Sequence, residues 1–278
     1  MVSPCRIATK EALSIARSGP AAISLSPNMA KGTAKVVVVI PAREEAGSIA
    51  AIVAGCLPFA ARVIVVDDGS ADATGARAAA AGALVLRHPA RRGKGAALET
   101  GFAAALAAGA AFIATLDGDG QHRPEDLPRL LAAARRAPHR IVIGSRRASR
   151  LPAPRSRRVA NRVADFWISW AAGHPIADSQ CGFRVYPATL LRALPARRRR
   201  PRGFAFEAAL LIEAARAGYR TIAVDVPALY GGTSQRASHF RPVADVTKIV
   251  LVVAARLLAR GLSPWSLWRA LTLPEEHL

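Results

Sequence analysis

Two carboxylates flank a single glycine in the stretch AFIATLDGDGQHRPEDL, residues 111–127: Asp117 and Asp119, followed by Gln121 and His122. Across a sharp turn, residues i and i+2 can face one point, and Gly118 and Gly120 permit backbone angles that other residues resist. Hard oxygen donors, few in number, suit Mg²⁺ or Mn²⁺, which keep waters and complete their shell from substrate phosphates. The chemistry expected at this corner is therefore capture of a diphosphate through a divalent ion, with Asp117 and Asp119 as candidate ligands. An EF-hand loop starting at Asp117 is excluded, because it requires glycine at 122 and glutamate at 128, where the chain has His122 and Pro128.

A scaffold must bring such groups together, and the pattern around them supplies one. KVVVVI (35–40) is an unbroken β-branched run, the mark of a strand buried on both faces. RVIVVDDGS (62–70), ALVLR (83–87), AFIATL (111–116), RIVIGSR (140–146) and RTIAVDVPA (220–228) read as further strands. Helical segments fall between them: Glu44–Cys56, an alanine-rich stretch that Ser70 or Asp72 caps, Lys94–Ala108, and a helix opening at Pro124 and running to about Ala137. Two more are expected at Val159–Ala172 and at 205–218. Strand and helix alternating at this spacing predict an α/β domain, with a mainly parallel sheet and helices on both faces. In such sheets ligands bind at the carboxyl ends of the strands. Glu45, Asp67, Asp68, Asp117 and Asp119 are thus expected in one cleft, where they repel one another unless a cation is present. RRGKGAA lacks the spacing and the Ser/Thr of a Walker A loop, and PAREEAGS has too few glycines for a dinucleotide fingerprint.

The 278 residues carry a formal charge of +20, with 51% hydrophobic positions. That charge points to anionic partners, although the excess of arginine and alanine also fits a GC-rich genome. Nucleic acid is a poor fit, since acids gathered at strand ends repel phosphate and interleaved aromatics are lacking. Cys5, Cys56 and Cys181 form neither a CxxC pair nor a disulfide framework, and fit a reducing compartment. Residues 1–34 are expected to be a disordered extension without a secretion signal, with Met29 as an alternative start. Residues 35–242 are expected to be the catalytic domain and 243–278 a C-terminal amphipathic helical segment. No run reaches the ~20 apolar residues of a membrane span. The arginine-rich loops at 146–158 and 197–202, with Trp265 and Trp268, suit contact with an anionic membrane surface.

Taken in order, VVVVIPAREE, VIVVDDGSADAT, RRGKGAAL, ATLDGDGQHRPEDL, IVIGSRR and DSQCGFRVYP resemble glycosyltransferase family 2. The likeness is greatest to dolichyl-phosphate mannose synthase-like enzymes and bacterial polyprenyl-phosphate glycosyltransferases, and it spans about Val36 to Val250. The resemblance implies a GT-A fold, a nucleotide-sugar donor (GDP- or UDP-hexose), a divalent metal and inverting transfer to a polyprenyl or dolichyl phosphate; a soluble acceptor is the rival. It implies donor contacts by Pro41, Arg43, Glu45, Val66, Asp68, Asp117, Gly118, Asp119, Gln121 and Arg146, and a metal held at Asp117, Asp119 and Gln121, with Asp119 and Gln121 as its direct ligands. An aromatic is common in the family where Arg43 stands, so a guanidinium would stack there instead. Arg146 and Arg184 match positions that meet donor or acceptor phosphate. Ser238 and His239 stand where the mannose synthases carry a Ser-Lys pair, a departure that leaves sugar and acceptor open. Asp119 is the candidate catalytic group, and Asp178 a second one that orients the acceptor or serves as base; its alternative role is a turn cap. The expected location is cytoplasmic, peripheral on the inner face of the cell membrane.

Overall fold

The computed structural model of the chain describes residues 35–147, 155–194, 205–227, 250–251, 253–258 and 262–277. A seven-stranded sheet contains β1 (Val36–Ala42), β2 (Arg62–Asp67), β3 (Leu84–Arg87), β4 (Phe112–Thr115), β5 (Arg140–Ser145), β6 (Arg184–Pro187) and β7 (Arg220–Asp225), in the spatial order β3-β2-β1-β4-β6-β5-β7. Around it lie α1 (Ile49–Cys56), α2 (Thr74–Ala80), α3 (Lys94–Ala107), α4 (Leu127–Arg136), α5 (Arg155–Ala172), α6 (Ala188–Ala193), α7 (Ala205–Arg216) and α8 (Pro264–Thr272).

The valine run of β1 is wholly buried, which places it inside the sheet, hydrogen-bonded to β2 on one side and β4 on the other. Helix α3 lies close over it. A Cβ at Gly101 would stand 2.2 Å from Val39 Cγ1, so only glycine allows this approach. Gly101→Ala is expected to destabilise the fold by about 1–3 kcal/mol through overpacking. Urea unfolding checks this, and an unchanged midpoint would count against the packing described.

One strand departs from expectation. RVYP, residues 184–187, forms β6, antiparallel to both β4 and β5, and all four of its residues are buried. A four-residue segment holding an arginine and a proline has no alternation to betray it. The double reversal through β6 leaves β5 and β7 running the same way as β1. The loops after Ala42, Asp67, Thr115 and Ser145, and the chain entering β6, therefore open on one edge. The connection also changes direction between β1 and β4, which makes the gap between them the topological switch point where open α/β sheets bind ligands.

Smaller differences are local. The helix expected from Glu44 starts only at Ile49, and Pro124 opens a 3₁₀ turn (Pro124–Asp126) that leads into α4. Asp72 accepts from Thr74 N at 3.0 Å at the start of α2, whereas Ser70 is engaged elsewhere. Toward the C-terminus, Val253 and Leu257 are buried in the core and Arg256 pairs with Glu213 at 2.7 Å. Trp170 Nε1 donates to Ser263 O, joining α5 to the approach of α8. Among the described residues no helix is long and apolar enough to cross a membrane. The expected N-terminal extension, the arginine run at 197–202, Ser238 and His239 lie outside the described residues.

Candidate active site

The loops at the switch point are fastened to one another before any ligand is considered. Glu44 adopts a left-handed φ of 58°, and its N–H donates to Ser70 Oγ at 3.0 Å. Glu45 N donates to Thr74 Oγ1 at 2.8 Å, and Ala71 N to Glu44 Oε1 at 2.7 Å. Ser48 Oγ donates to Gly118 O at 2.6 Å, strapping the Asp-Gly-Asp corner to the start of α1. Gly118 sits against Ala42 and Glu45, with 3.4 Å available to a Cβ. Pro41, Arg43 and Glu45 line this rim half-buried, and Arg43 Nε is buried without a hydrogen-bond partner.

The two carboxylates are not equivalent. Asp117 Oδ1 lies 2.7 Å from Lys94 Nζ, which also lies 3.0 Å from Glu207 Oε2. Burial pushes the Asp117 carboxyl up, but the lysine charge and hydrogen bond outweigh it and hold it below the ordinary range. Asp119 is pushed the other way, by burial and then by the charge of Asp117. Its Oδ1 accepts from Gln121 N at 3.0 Å, closing a short turn that fixes the carboxylate's direction. Repulsion between two carboxylates at one corner is relieved by a cation. Among the described residues no group of three or more His, Cys, Asp or Glu could cage a metal. Two hard carboxylate donors one residue apart are of the kind Mg²⁺ or Mn²⁺ takes when the rest of its shell is water or phosphate.

Gly182, in the chain entering β6, sits directly beneath Asp117: a Cβ there would stand 2.6 Å from Oδ2 and 2.9 Å from Oδ1. Thr115 Oγ1 donates to Gly182 O at 2.8 Å and sets that distance. Gly182→Ala is expected to displace the carboxylate and lower kcat by about 100-fold, because ångström-scale misplacement carries that cost. Steady-state kinetics on the folded variant checks it, and wild-type kcat would contradict it. His122 packs tilted against Phe183, with Nε2 3.7 Å from Cys181 Sγ. Burial, then the Arg146 charge, lowers His122 to about 4 despite Asp117 and Asp178, so it is neutral near pH 7.

Several candidates occupy places other than those expected. Asp178 is 0% exposed and accepts from Arg146 N (2.9 Å), Nε (3.0 Å) and Nη2 (3.2 Å). A carboxylate so enclosed orients Arg146 and does not face an acceptor. Arg184 is also 0% exposed: Nε donates to Cys181 O at 2.7 Å, Nη2 to Ser179 O at 2.7 Å and Nη1 to Tyr186 Oη at 3.1 Å. It braces the turn before β6 and offers no surface to a phosphate. The Val66 side chain is closed into the core. Asp67 and Asp68 are buried too. Asp68 takes N–H groups from Arg92 (2.8 Å) and Gly93 (2.7 Å) and a 2.7 Å contact from His88 Nδ1. Burial alone would raise its carboxyl, but these hydrogen bonds hold it low. Asp68 therefore fixes the loop ahead of α3, Asp67 Oδ1 accepts from Ser70 N at 2.9 Å within the turn after β2, and neither opens on the cleft. What remains at the edge is Pro41, Arg43, Glu45, Asp117, Gly118, Asp119, Gln121 and Arg146. Sequence reasoning missed Lys94 and Glu207; RRGKGAAL marked the first only as part of a motif, and nothing near 207 signalled a partner 113 residues away.

A mainly parallel sheet with paired carboxylates at its switch point fits the GT-A class of nucleotide-sugar-dependent glycosyltransferases. The chain belongs to glycosyl transferase family 2, whose model matches residues 37–193, more than half its length. It is 35% identical over 172 residues to the undecaprenyl-phosphate mannosyltransferase of Micrococcus luteus, covering 59% of this chain and 70% of that one. It is 30% identical over 212 residues to the polyprenol monophosphomannose synthase of Mycolicibacterium smegmatis, covering 72% and 79%. Among solved structures, mannosyl-3-phosphoglycerate synthase of Rubrobacter xylanophilus shares the fold with a TM-score of 0.64 at 21% identity, covering 87% of this chain and 79% of that one. Glucosyl-3-phosphoglycerate synthase of Mycobacterium tuberculosis matches with a TM-score of 0.57 at 26% identity, covering 83% and 82%. A complex of that enzyme contains Mn²⁺, UDP-glucose and phosphoglyceric acid, and matches with a TM-score of 0.60 at 24% identity, covering 83% and 81%.

Proposed function

We propose that the chain transfers a hexose, with inversion, from a GDP- or UDP-sugar to a polyprenyl phosphate-type lipid. The observation that carries this reading is Asp119, held beside a compensated Asp117 at the sheet's switch point, with Arg146 across the same edge. Asp119 and Gln121, with Asp117 beside them on Lys94, would hold Mg²⁺ or Mn²⁺, an ion that when bound neutralises charge on the departing nucleoside diphosphate. Pro41, Arg43 and Glu45 form the rim for the nucleoside, and Arg146, aimed by Asp178, meets a phosphate. A lipid phosphate is already largely ionised at pH 7, with a second pKa of about 6, so no strong base is required of the protein. The absence of a cleft-facing role for Asp178 agrees with that. The names of the mannosyltransferase relatives support the lipid acceptor.

Peripheral attachment to the inner face of the membrane belongs to the same reading. Trp265 and Trp268 on α8 are stacked at 4.7 Å and remain 62% and 52% exposed, and Phe166 and Trp167 stand out from α5, the helix against which α8 packs. Amphipathic rings of this kind suit a headgroup interface. A second reading, a small phosphorylated acceptor, is favoured by the 26% identical glucosyl-3-phosphoglycerate synthase. One experiment separates them: purified protein with Mn²⁺ and labelled GDP-mannose, UDP-glucose or UDP-N-acetylglucosamine, offered undecaprenyl phosphate in anionic vesicles or 3-phosphoglycerate in solution. Label partitioning into the organic phase is expected. Label appearing only in the phosphoglycerate product would replace the lipid reading.

A further inference from the structure

Lys94 is a partly buried cation that the sequence did not single out. It begins α3, where a positive charge opposes the helix dipole, so its position has to be secured by other groups. They are specific. Gly93 has a φ of 95°, and its N–H and that of Arg92 are held by the Asp68 carboxylate, which fixes the turn that delivers Lys94. Gly95 lets α3 approach α7 closely, since a Cβ there would stand 2.7 Å from Phe206 Cβ. The next residue on α7, Glu207, then reaches Lys94 Nζ at 3.0 Å, while Asp117 Oδ1 reaches it at 2.7 Å. A single lysine thus stands between the first carboxylate of the Asp-Gly-Asp corner and a second, largely buried one.

We propose that Lys94 is a positioning residue for donor binding: bridged between Asp117 and Glu207, it is the fixed counter-ion of Asp117 and reserves Asp119 for the divalent ion. This rests on the metal reading given above. Lys94 and the ion are then neighbours of like charge that share one corner, so the lysine limits how tightly metal binds without the anionic donor. Glu207 draws Lys94 partly away from Asp117 and tempers that competition.

The test is a Mn²⁺ titration of the full chain, read from the electron paramagnetic resonance signal of free Mn²⁺, with circular dichroism confirming the fold. Lys94→Met is expected to bind Mn²⁺ about tenfold more tightly, a modest share of the like-charge repulsion at this range, while its turnover falls because Asp117 loses its anchor. Glu207→Gln returns Lys94 wholly to Asp117 and is expected to weaken Mn²⁺ binding about threefold. Lys94→Arg keeps the charge and is expected to stay near wild type. A merely structural lysine would weaken Mn²⁺ binding when removed, so Lys94→Met binding no tighter than wild type overturns the proposal. Should Lys94→Met not fold, Glu207→Gln binding at least as tightly as wild type does the same. If wild type binds no Mn²⁺ with or without UDP, the metal reading fails first and this inference with it.

Discussion

Asp119→Ala is expected to lower kcat by about 10³-fold with saturating Mn²⁺ and donor, a loss in the range seen when a preorganised electrostatic contact to the transition state is removed. Of the two acids at the corner, Asp119 is the one whose ionised form is disfavoured, by burial and by Asp117, and so gains most from a divalent neighbour. Inside the turn it accepts from the N–H of Gln121 at 3.0 Å, and losing a hydrogen bond of this kind costs about 0.5–1.5 kcal/mol. The variant should therefore fold and bind nucleotide poorly when Mn²⁺ is present. Asp119→Asn keeps the shape and an acceptor oxygen while removing the charge, and is expected to fall between the two. Single-turnover kinetics checks both, and wild-type rates in Asp119→Ala would remove the metal role from this corner.

Asp178→Asn should have its largest effect on stability. Asn tolerates the left-handed backbone (φ 46°) and keeps the volume, so the change isolates the charge. Arg146, whose side chain is itself mostly buried, would lose the carboxylate that accepts from its N, Nε and Nη2. Breaking a buried pair in this way costs about 3–5 kcal/mol, which for a domain of this size lowers Tm by roughly 10 °C. Turnover should fall as well, through Arg146. A base acting on the acceptor would give the opposite pattern, lost kcat at unchanged Tm. Thermal unfolding beside kinetics decides between them.

The sheet was legible where the chain is repetitive. Five buried β-branched residues in β1 permit little else, and the paired acids after β4 announce themselves through the glycines around them. Local pattern failed where burial is secured by distant polar groups. Arg184 looks like a surface phosphate ligand because arginine usually is one; it is buried here because Cys181, Ser179 and Tyr186 supply acceptors that only the closed turn brings together. Asp68 looked like a cleft acid for the same reason, yet two backbone N–H groups and His88 consume it. Lys94 and Glu207 meet only because Gly95 yields room to Phe206, a contact that no spacing along the chain encodes. The family resemblance pointed to one corner of the molecule, but it did not distinguish residues that stand at the sheet's edge from those buried beneath it.

The reading rests on a divalent ion held at Asp119 beneath a nucleoside diphosphate. Anomalous diffraction from crystals soaked with Mn²⁺ and UDP or GDP measures that directly. The account predicts a single strong manganese peak about 2.1 Å from an Asp119 carboxylate oxygen and in contact with the diphosphate, with Lys94 still on Asp117. A nucleotide bound at the switch point with no manganese beside Asp119, or manganese bound elsewhere, would contradict it.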